Sequence, residues 1–411
     1  MFNKYLTGLL SFVCFFTFIG PINADDSFKF KGNRKRDQIT FVNAGNLIVL
    51  KTFINDKGPF NFVMDSGVGI TIITDPALKD SLQLSYVKEV KIAGLGELPD
   101  FSAYLTPNIK INISNTEAES IGAVILKDTL LHLSQHAGLP IHGLISYDFF
   151  NSFLIKIYHE SGYLVCEYKQ KLRYFKKGYK IPVSIEKNKP YCKVNIRLKK
   201  DQHYQLKALI DSGAGHALAL ESLNEQDFPL PDSILYTSLG IGLNGEINGF
   251  IGRIADFEMG SLLVKDLLTS FPSYRDVAEK VRSVPRNASI GNRLLKNFNV
   301  TFNYYRNYIH LQPLRKKIPP FEHDMSGLEV IATGDNYDRY IINKVNLHVP
   351  STLADVQEGD ELIALDLIPV SKMSLDDVND VLASRDGRNI YIKVLRNKTF
   401  ISSIITLKKM I

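Results

Sequence analysis

Two segments of this 411-residue chain repeat one another, and that repeat limits the fold more than any other feature. Phe60-Asn61-Phe62-Val63-Met64-Asp65-Ser66-Gly67 is matched by Leu206-Lys207-Ala208-Leu209-Ile210-Asp211-Ser212-Gly213, at an offset of 146 (211 − 65). A glycine-rich turn follows each, Ile92-Ala93-Gly94-Leu95-Gly96-Glu97 and Ile241-Gly242-Leu243-Asn244-Gly245-Glu246, with Gly94 and Gly242 at an offset of 148. Farther on, Ile141-His142-Gly143 precedes an apolar run at Phe153–Tyr158. Ser289-Ile290-Gly291 likewise precedes one at Val300–Tyr304, with Gly143 and Gly291 again at 148. Three landmarks in one order at nearly one spacing indicate two copies of a unit, too few for a solenoid and enough for two similar lobes. A lone Asp-Ser/Thr-Gly triplet arises by chance in roughly one chain in five of this length. Two in matching contexts do not have that explanation.

Between residues 39 and 313 the apolar residues fall in short alternating runs, at Leu47–Ile54, Phe60–Met64, Lys91–Ala93, Ile109–Ile113 and Phe153–Tyr158. Helical periodicity is scarce there, so a mainly β fold is predicted. Each repeated Asp ends an apolar run and begins a turn. The glycine two residues on permits a tight bend and the close approach of a neighbour. The Ser66 and Ser212 hydroxyls are able to bond backbone across to the opposite turn. Two lobes related by a pseudo-two-fold would then bring Asp65 and Asp211 to the axis. Carboxylates about 3 Å apart do not both ionise readily, so they share a proton and titrate in two steps. The ionised one takes a proton from an intervening water, and the protonated one hydrogen-bonds a substrate carbonyl. No metal or covalent intermediate is required. The competing reading is a pair of ordinary turns in which Asp and Ser cap backbone amides.

These residues resemble pepsin-like and retropepsin-like aspartic peptidases, especially bacterial exported proteins that join two such lobes to a PDZ domain. Asp211-Ser212-Gly213-Ala214 fits the family's Asp-Ser/Thr-Gly-Ala/Ser motif throughout. Asp65-Ser66-Gly67-Val68 fits at three positions, Val68 replacing the usual small residue, and Gly69 and Gly215 stand where pepsins often carry a hydroxyl. The resemblance covers residues 39 to about 313. It implies catalysis by Asp65 and Asp211, support of the active turns by Ser66, Gly67, Ser212 and Gly213, and hydrophobic-Gly elements at Gly143 and Gly291 beneath them. It also implies flaps at Gly94, Gly96, Gly242 and Gly245 that close over an extended peptide. The implied activity is that of an endopeptidase acting on peptides or proteins without a cofactor. The alternative is a catalytically inactive peptide-binding or scaffold protein on the same fold.

Arg315-Lys316-Lys317-Ile318-Pro319-Pro320 reads as a linker. The order beyond it looks like a small α+β PDZ domain. Gly327-Leu328-Glu329-Val330 comes first, then Ser351-Thr352-Leu353-Ala354 and Gly359-Asp360. A helix signalled by Ser374 and Asp377 follows, and two strands near Ile390–Arg396 and Phe400–Leu407 close the chain. That likeness implies peptide binding by strand addition, the peptide carboxylate being received by the turn at Gly327, Leu328 and Val330.

The predicted organisation is a signal peptide over 1–24, lobes over 25–170 and 171–317, and the PDZ-like domain over 318–411. Lys4 ahead of an apolar run from Leu6 to Ile19, the Gly20-Pro21 break and Ala24 before Asp25-Asp26 form the export pattern, which places the protein in the periplasm or outside the cell. No later stretch suffices for a transmembrane helix. A net charge of +6 is too small to call for nucleic acid. Nine histidines without ligand spacing, no Cys-x-x-Cys and no His-Glu-x-x-His leave no metal site expected. Cys166 and Cys192 could pair, although plain burial is the commoner fate of two cysteines in so long a chain.

Overall fold

The structure, a computed structural model, describes residues 27–84, 88–92, 101–127, 133–169, 177–242, 245–346 and 355–411. The protein is mainly β, and among the described residues the strands form sheets of nine, six, eight and six members. No helix among them is long and apolar enough to cross a membrane. The segment read as a signal peptide, 1–24, lies outside the described residues, as do the turn residues Gly94 and Gly96 and the Ser351–Ala354 stretch.

Two of the sheets carry the repeat. In the nine-stranded one, a hairpin of Leu47–Ile54 and Lys57–Met64 delivers the chain to Asp65, and Gly143–Ile145 runs parallel to its end with Ile145 opposite Met64. In the eight-stranded one, Lys189–Lys199 and Gln202–Asp211 do the same for Asp211, with Ala288–Gly291 parallel and Ile290 opposite Ile210. The last four residues of each delivering strand are buried whichever face they occupy. Covered on both sides, the residues that lead into each aspartate, Phe62–Met64 and Ala208–Ile210, read as a continuous apolar run.

This register corrects the third landmark of the repeat. Ile145 and Ile290 hold equivalent places, an offset of 145 rather than the 148 that pairs Gly143 with Gly291. The backbone agrees: His142 N donates to Asn61 O while Asn61 N donates to the His142 ring, and Asn287 and Lys207 exchange the same two bonds. The two glycines answer separate steric demands. A Cβ at Gly143 would strike the Phe62 ring and the Ile72 carbonyl, and one at Gly291 would strike the carbonyls of His216 and Ala214.

A six-stranded sheet joins the halves, three strands from each, in the order Tyr179–Pro182, Tyr308–Pro313, Phe298–Asn303, Phe153–Tyr158, Tyr163–Tyr168, Arg36–Thr40. Its central pair is antiparallel, with Lys156 opposite Thr301, Ile155 opposite Phe302 and Ile157 opposite Val300. Lys156 and Thr301 are themselves separated by the repeat offset of 145 (301 − 156), so the ladder is symmetric about them and a local two-fold passes there. Both central strands run into a one-turn 3-10 segment closed by a left-handed residue, Gly162 at φ +64° and Asn307 at φ +52°. Glycine and asparagine visit that region at least cost. Beneath the sheet, Phe149, Phe150, Phe153, Phe298 and Phe302 are fully buried in one core built from both halves. Phe150 meets Phe302 across the junction edge-to-face at 4.9 Å, a contact worth about 0.5–1.5 kcal/mol beyond burial.

His159, in the first of these 3-10 segments, gives the fold a pH dependence. It is 5% exposed, and neither ring nitrogen has a hydrogen-bond partner among the described residues. Burial first, and then the charge of Lys296, depress its pKa to about 4. Between about pH 6.5 and pH 4 the unfolded chain therefore binds a proton that the folded chain refuses. This term is absent above the unfolded pKa and costs up to about 3 kcal/mol of stability as pH falls through the folded one. His159→Leu is expected to flatten the acid side of a urea-denaturation series between pH 7 and pH 4. An unchanged slope would contradict the assignment.

Met325 to Leu407 contribute a separate core, with strands in the order Leu328–Thr333, Arg339–Val345, Glu361–Leu365, Asn389–Arg396 and Thr399–Thr406. The helix Leu375–Leu382 begins with the expected capping box, Ser374 and Asp377 each accepting the other's backbone N–H. Cys166 and Cys192 are buried and free.

Candidate active site

The strands ending at Met64 and Ile210 leave Asp65 and Asp211 buried, 7% and 8% exposed. The turns that follow are interlocked. Ser66 N donates to Ser212 Oγ at 3.0 Å and Ser212 N donates to Ser66 Oγ at 2.9 Å. Each hydroxyl then donates onward to the carbonyl ahead of the opposite aspartate, Ser66 to Ile210 O at 2.8 Å and Ser212 to Met64 O at 2.7 Å. Gly67 N and Gly213 N each donate to the aspartate of their own turn, at 2.6 and 3.1 Å. A Cβ on Gly67 would stand 2.5 Å from the Asp211 carboxylate, and one on Gly213 would stand 2.2 Å from the Asp65 carboxylate carbon. Each acid therefore lies against the other turn, and the glycines are required because a carboxylate occupies the space a side chain would fill. The structure thus brings together Asp65, Ser66, Gly67, Asp211, Ser212 and Gly213.

The lock is testable apart from any activity. Ser66 and Ser212 are almost wholly buried, so replacing either by alanine strands an amide and a carbonyl. Each single change is expected to cost about 1–3 kcal/mol in urea denaturation. Because the two hydroxyls act on one network, the double variant should cost less than the two singles combined. A change near zero would contradict the interlock.

Both carboxylates line one cavity of about 750 Å³. Leu47, Val63, Val68 and Leu144 wall it on the Asp65 side, and Ala214, Gly215 and His216 on the Asp211 side. Over the latter stands the hairpin of Ile234–Gly242 and Gly245–Met259, in which Gly242 pairs with Gly245. A register shift beside Gly240, at φ +124°, bends it. The counterpart hairpin, Lys88–Ile92 with Phe101–Ile113, is described up to its turn.

The C-terminal unit closes the cavity with Gly327–Val330 and Lys344–Asn346. It is tied to both halves: Asp376 accepts from Gly45 N at 3.1 Å, His136 meets Glu329 at 3.6 Å, and Lys344 pairs with Glu246 of the hairpin. The turn foreseen as a carboxylate-binding site is bonded internally at its start. Asp324 already accepts from the amides of Ser326 at 3.1 Å and Gly327 at 2.7 Å, and Ser326 Oγ accepts from Leu328 N at 3.0 Å. Burial raises the Asp324 pKa to about 6, opposed by its bonds from Ser326 and Gly327. Val330 faces inward in the ladder opposite Ile342. Asp360 is structural, held by Arg396 at 2.6 and 2.7 Å.

Two pairs behind Asp211 carried no signal in the sequence. Arg286 grips Glu221 with two bonds, of 2.5 and 2.8 Å, both side chains being almost wholly buried. His216 Nε2 lies 3.0 Å from Ser289 Oγ. Among the described residues no cluster of three or more His, Cys, Asp or Glu is arranged to hold a metal ion. Compared with models of known protein families and with curated proteins, the chain matches none of them.

Proposed function

We propose that this protein is an aspartic endopeptidase of the two-lobed pepsin/retropepsin-like kind, carrying a PDZ-like domain beside its cleft and acting after export. The observation that carries the reading is the reciprocal Ser66–Ser212 lock, which presses each buried carboxylate against the glycine of the opposite turn. Two acids so placed can divide the work of a general base and a general acid. The charged member activates a water by general-base catalysis, while the protonated member polarises the scissile carbonyl and stabilises its oxyanion. Interlocked turns keep both groups in place without reorganisation during the reaction. The cavity has room for several residues of an extended chain, and the hairpin at Gly242 and Gly245 stands where it could cover one.

The test is to incubate the protein with an unfolded polypeptide between pH 3 and 8 and map new termini by mass spectrometry. Cleavage at internal bonds is expected, inhibited by a peptide bearing a hydroxyl-substituted tetrahedral centre in place of the scissile amide. Intact substrate across that range would overturn the proposal.

A further inference from the structure

The halves agree in backbone around the two acids but differ in the chemistry of the walls. Five residues past each aspartate stand Ile70 and His216. In the parallel ladders beneath, Leu144 opposite Val63 is replaced by Ser289 opposite Leu209. In the flanking strands, Val124 beside Ile72 is replaced by Ser270 beside Ala219. The Asp65 side is thus an apolar cluster, to which Val63, Val68, Val124 and Leu144 belong. On the Asp211 side, the half-buried His216 sets Nε2 3.0 Å from the hydroxyl of the buried Ser289. His216 and Ser270 both line the cavity that holds the carboxylates.

We propose that His216, seated on Ser289, forms a polar substrate subsite beside Asp211, so that the cleft takes an aliphatic or aromatic residue on its Asp65 side and an uncharged hydrogen-bonding residue (Ser, Thr, Asn or Gln) on the other. This rests on the peptidase reading above. A neutral imidazole offers one donor and one acceptor nitrogen, and Ser289 engages one of them. Burial lowers the His216 pKa, against the charges of Asp211 and Glu221, which favours the neutral ring. A ring that faces the cavity beside a hydroxyl matches a small amide or hydroxyl, to which it can hydrogen-bond, better than a purely aliphatic residue. Sites that read a hydrogen bond discriminate against partners lacking it more sharply than apolar pockets discriminate by size.

The experiment is cleavage of a randomised peptide library by the full chain and by His216→Ile, the residue found at the matching place in the other half, with His216→Gln as the polarity-preserving control. The wild type should enrich apolar residues on one side of the cut and Ser, Thr, Asn or Gln on the other. His216→Ile should shift the second preference to aliphatic residues by about tenfold in relative kcat/KM, and His216→Gln should retain it. Cleavage with like preferences on both sides, or a preference unmoved by His216→Ile, overturns the subsite and leaves the peptidase standing. Absence of cleavage by the wild type removes both.

Discussion

Asp65→Asn and Asp211→Asn are each expected to lower peptide cleavage by about a thousandfold or more while hardly moving the urea midpoint. Asparagine has the shape of aspartate, and its carbonyl can still accept from Gly67 N or Gly213 N, the bonds that hold the native side chains. What it cannot do is ionise or share a proton. General acid–base groups contribute roughly 10²- to 10⁴-fold, and here one substitution disables the pair because the two acids act on one substrate as a unit. Groups that act as a unit are also non-additive, so the double variant should be scarcely slower than either single. Turnover equal to the wild type in either variant would rule out the carboxylate mechanism. A Gly213→Ala variant should lose activity by another route, since its methyl group would displace the Asp65 carboxylate.

Arg286→Met is expected to give the largest loss of stability, about 3–5 kcal/mol, by depriving the buried Glu221 carboxylate of its cationic partner. Glu221 lies just past the Leu218–Leu220 strand and Arg286 just before the Ala288–Gly291 strand, so the pair ties together the two short strands that frame Asp211. Replacing both partners, as Glu221→Leu with Arg286→Met, should recover most of the loss, because no uncompensated charge then remains in the interior. Urea denaturation of the two singles and the double measures this directly. A single variant as stable as the wild type would mean that the charge of Glu221 is met by other groups. In the other half the corresponding places hold Thr74 and Ile141, joined to the same ladder positions by equivalent backbone bonds. The ion pair therefore belongs to one half and is not a requirement of the repeated unit.

How much of this could be read beforehand depended on how local each determinant is. The strands Leu47–Ile54 and Phe153–Tyr158 end where alternation and turn residues place them, and the Ser374–Asp377 box starts its helix as expected. Asp65 and Asp211 were legible because the repeat supplied context for each triplet. The equivalence of Gly143 and Gly291 failed because a glycine reports that space is lacking and says nothing of what fills it. His216–Ser289 and Glu221–Arg286 join residues 73 and 65 positions apart, brought together by sheet order, which no short window contains. The internal bonding of the turn at Gly327 has a signal in the sequence. An Asp three residues ahead of a Gly, with a Ser between them, is the composition of a side-chain-capped turn, and Asp324 fulfils it. The seating of the C-terminal unit against the cavity rests on single contacts such as Gly45 with Asp376 and Lys344 with Glu246, and no periodicity foreshadows those.

High-resolution diffraction from crystals of the unliganded protein, with solvent defined between the two Asp-Ser-Gly turns, is the most direct measurement. One ordered water within about 3 Å of both the Asp65 and the Asp211 carboxylate is the expected result. Acids hydrated separately, with protein atoms between them and no solvent position within reach of both, would contradict it.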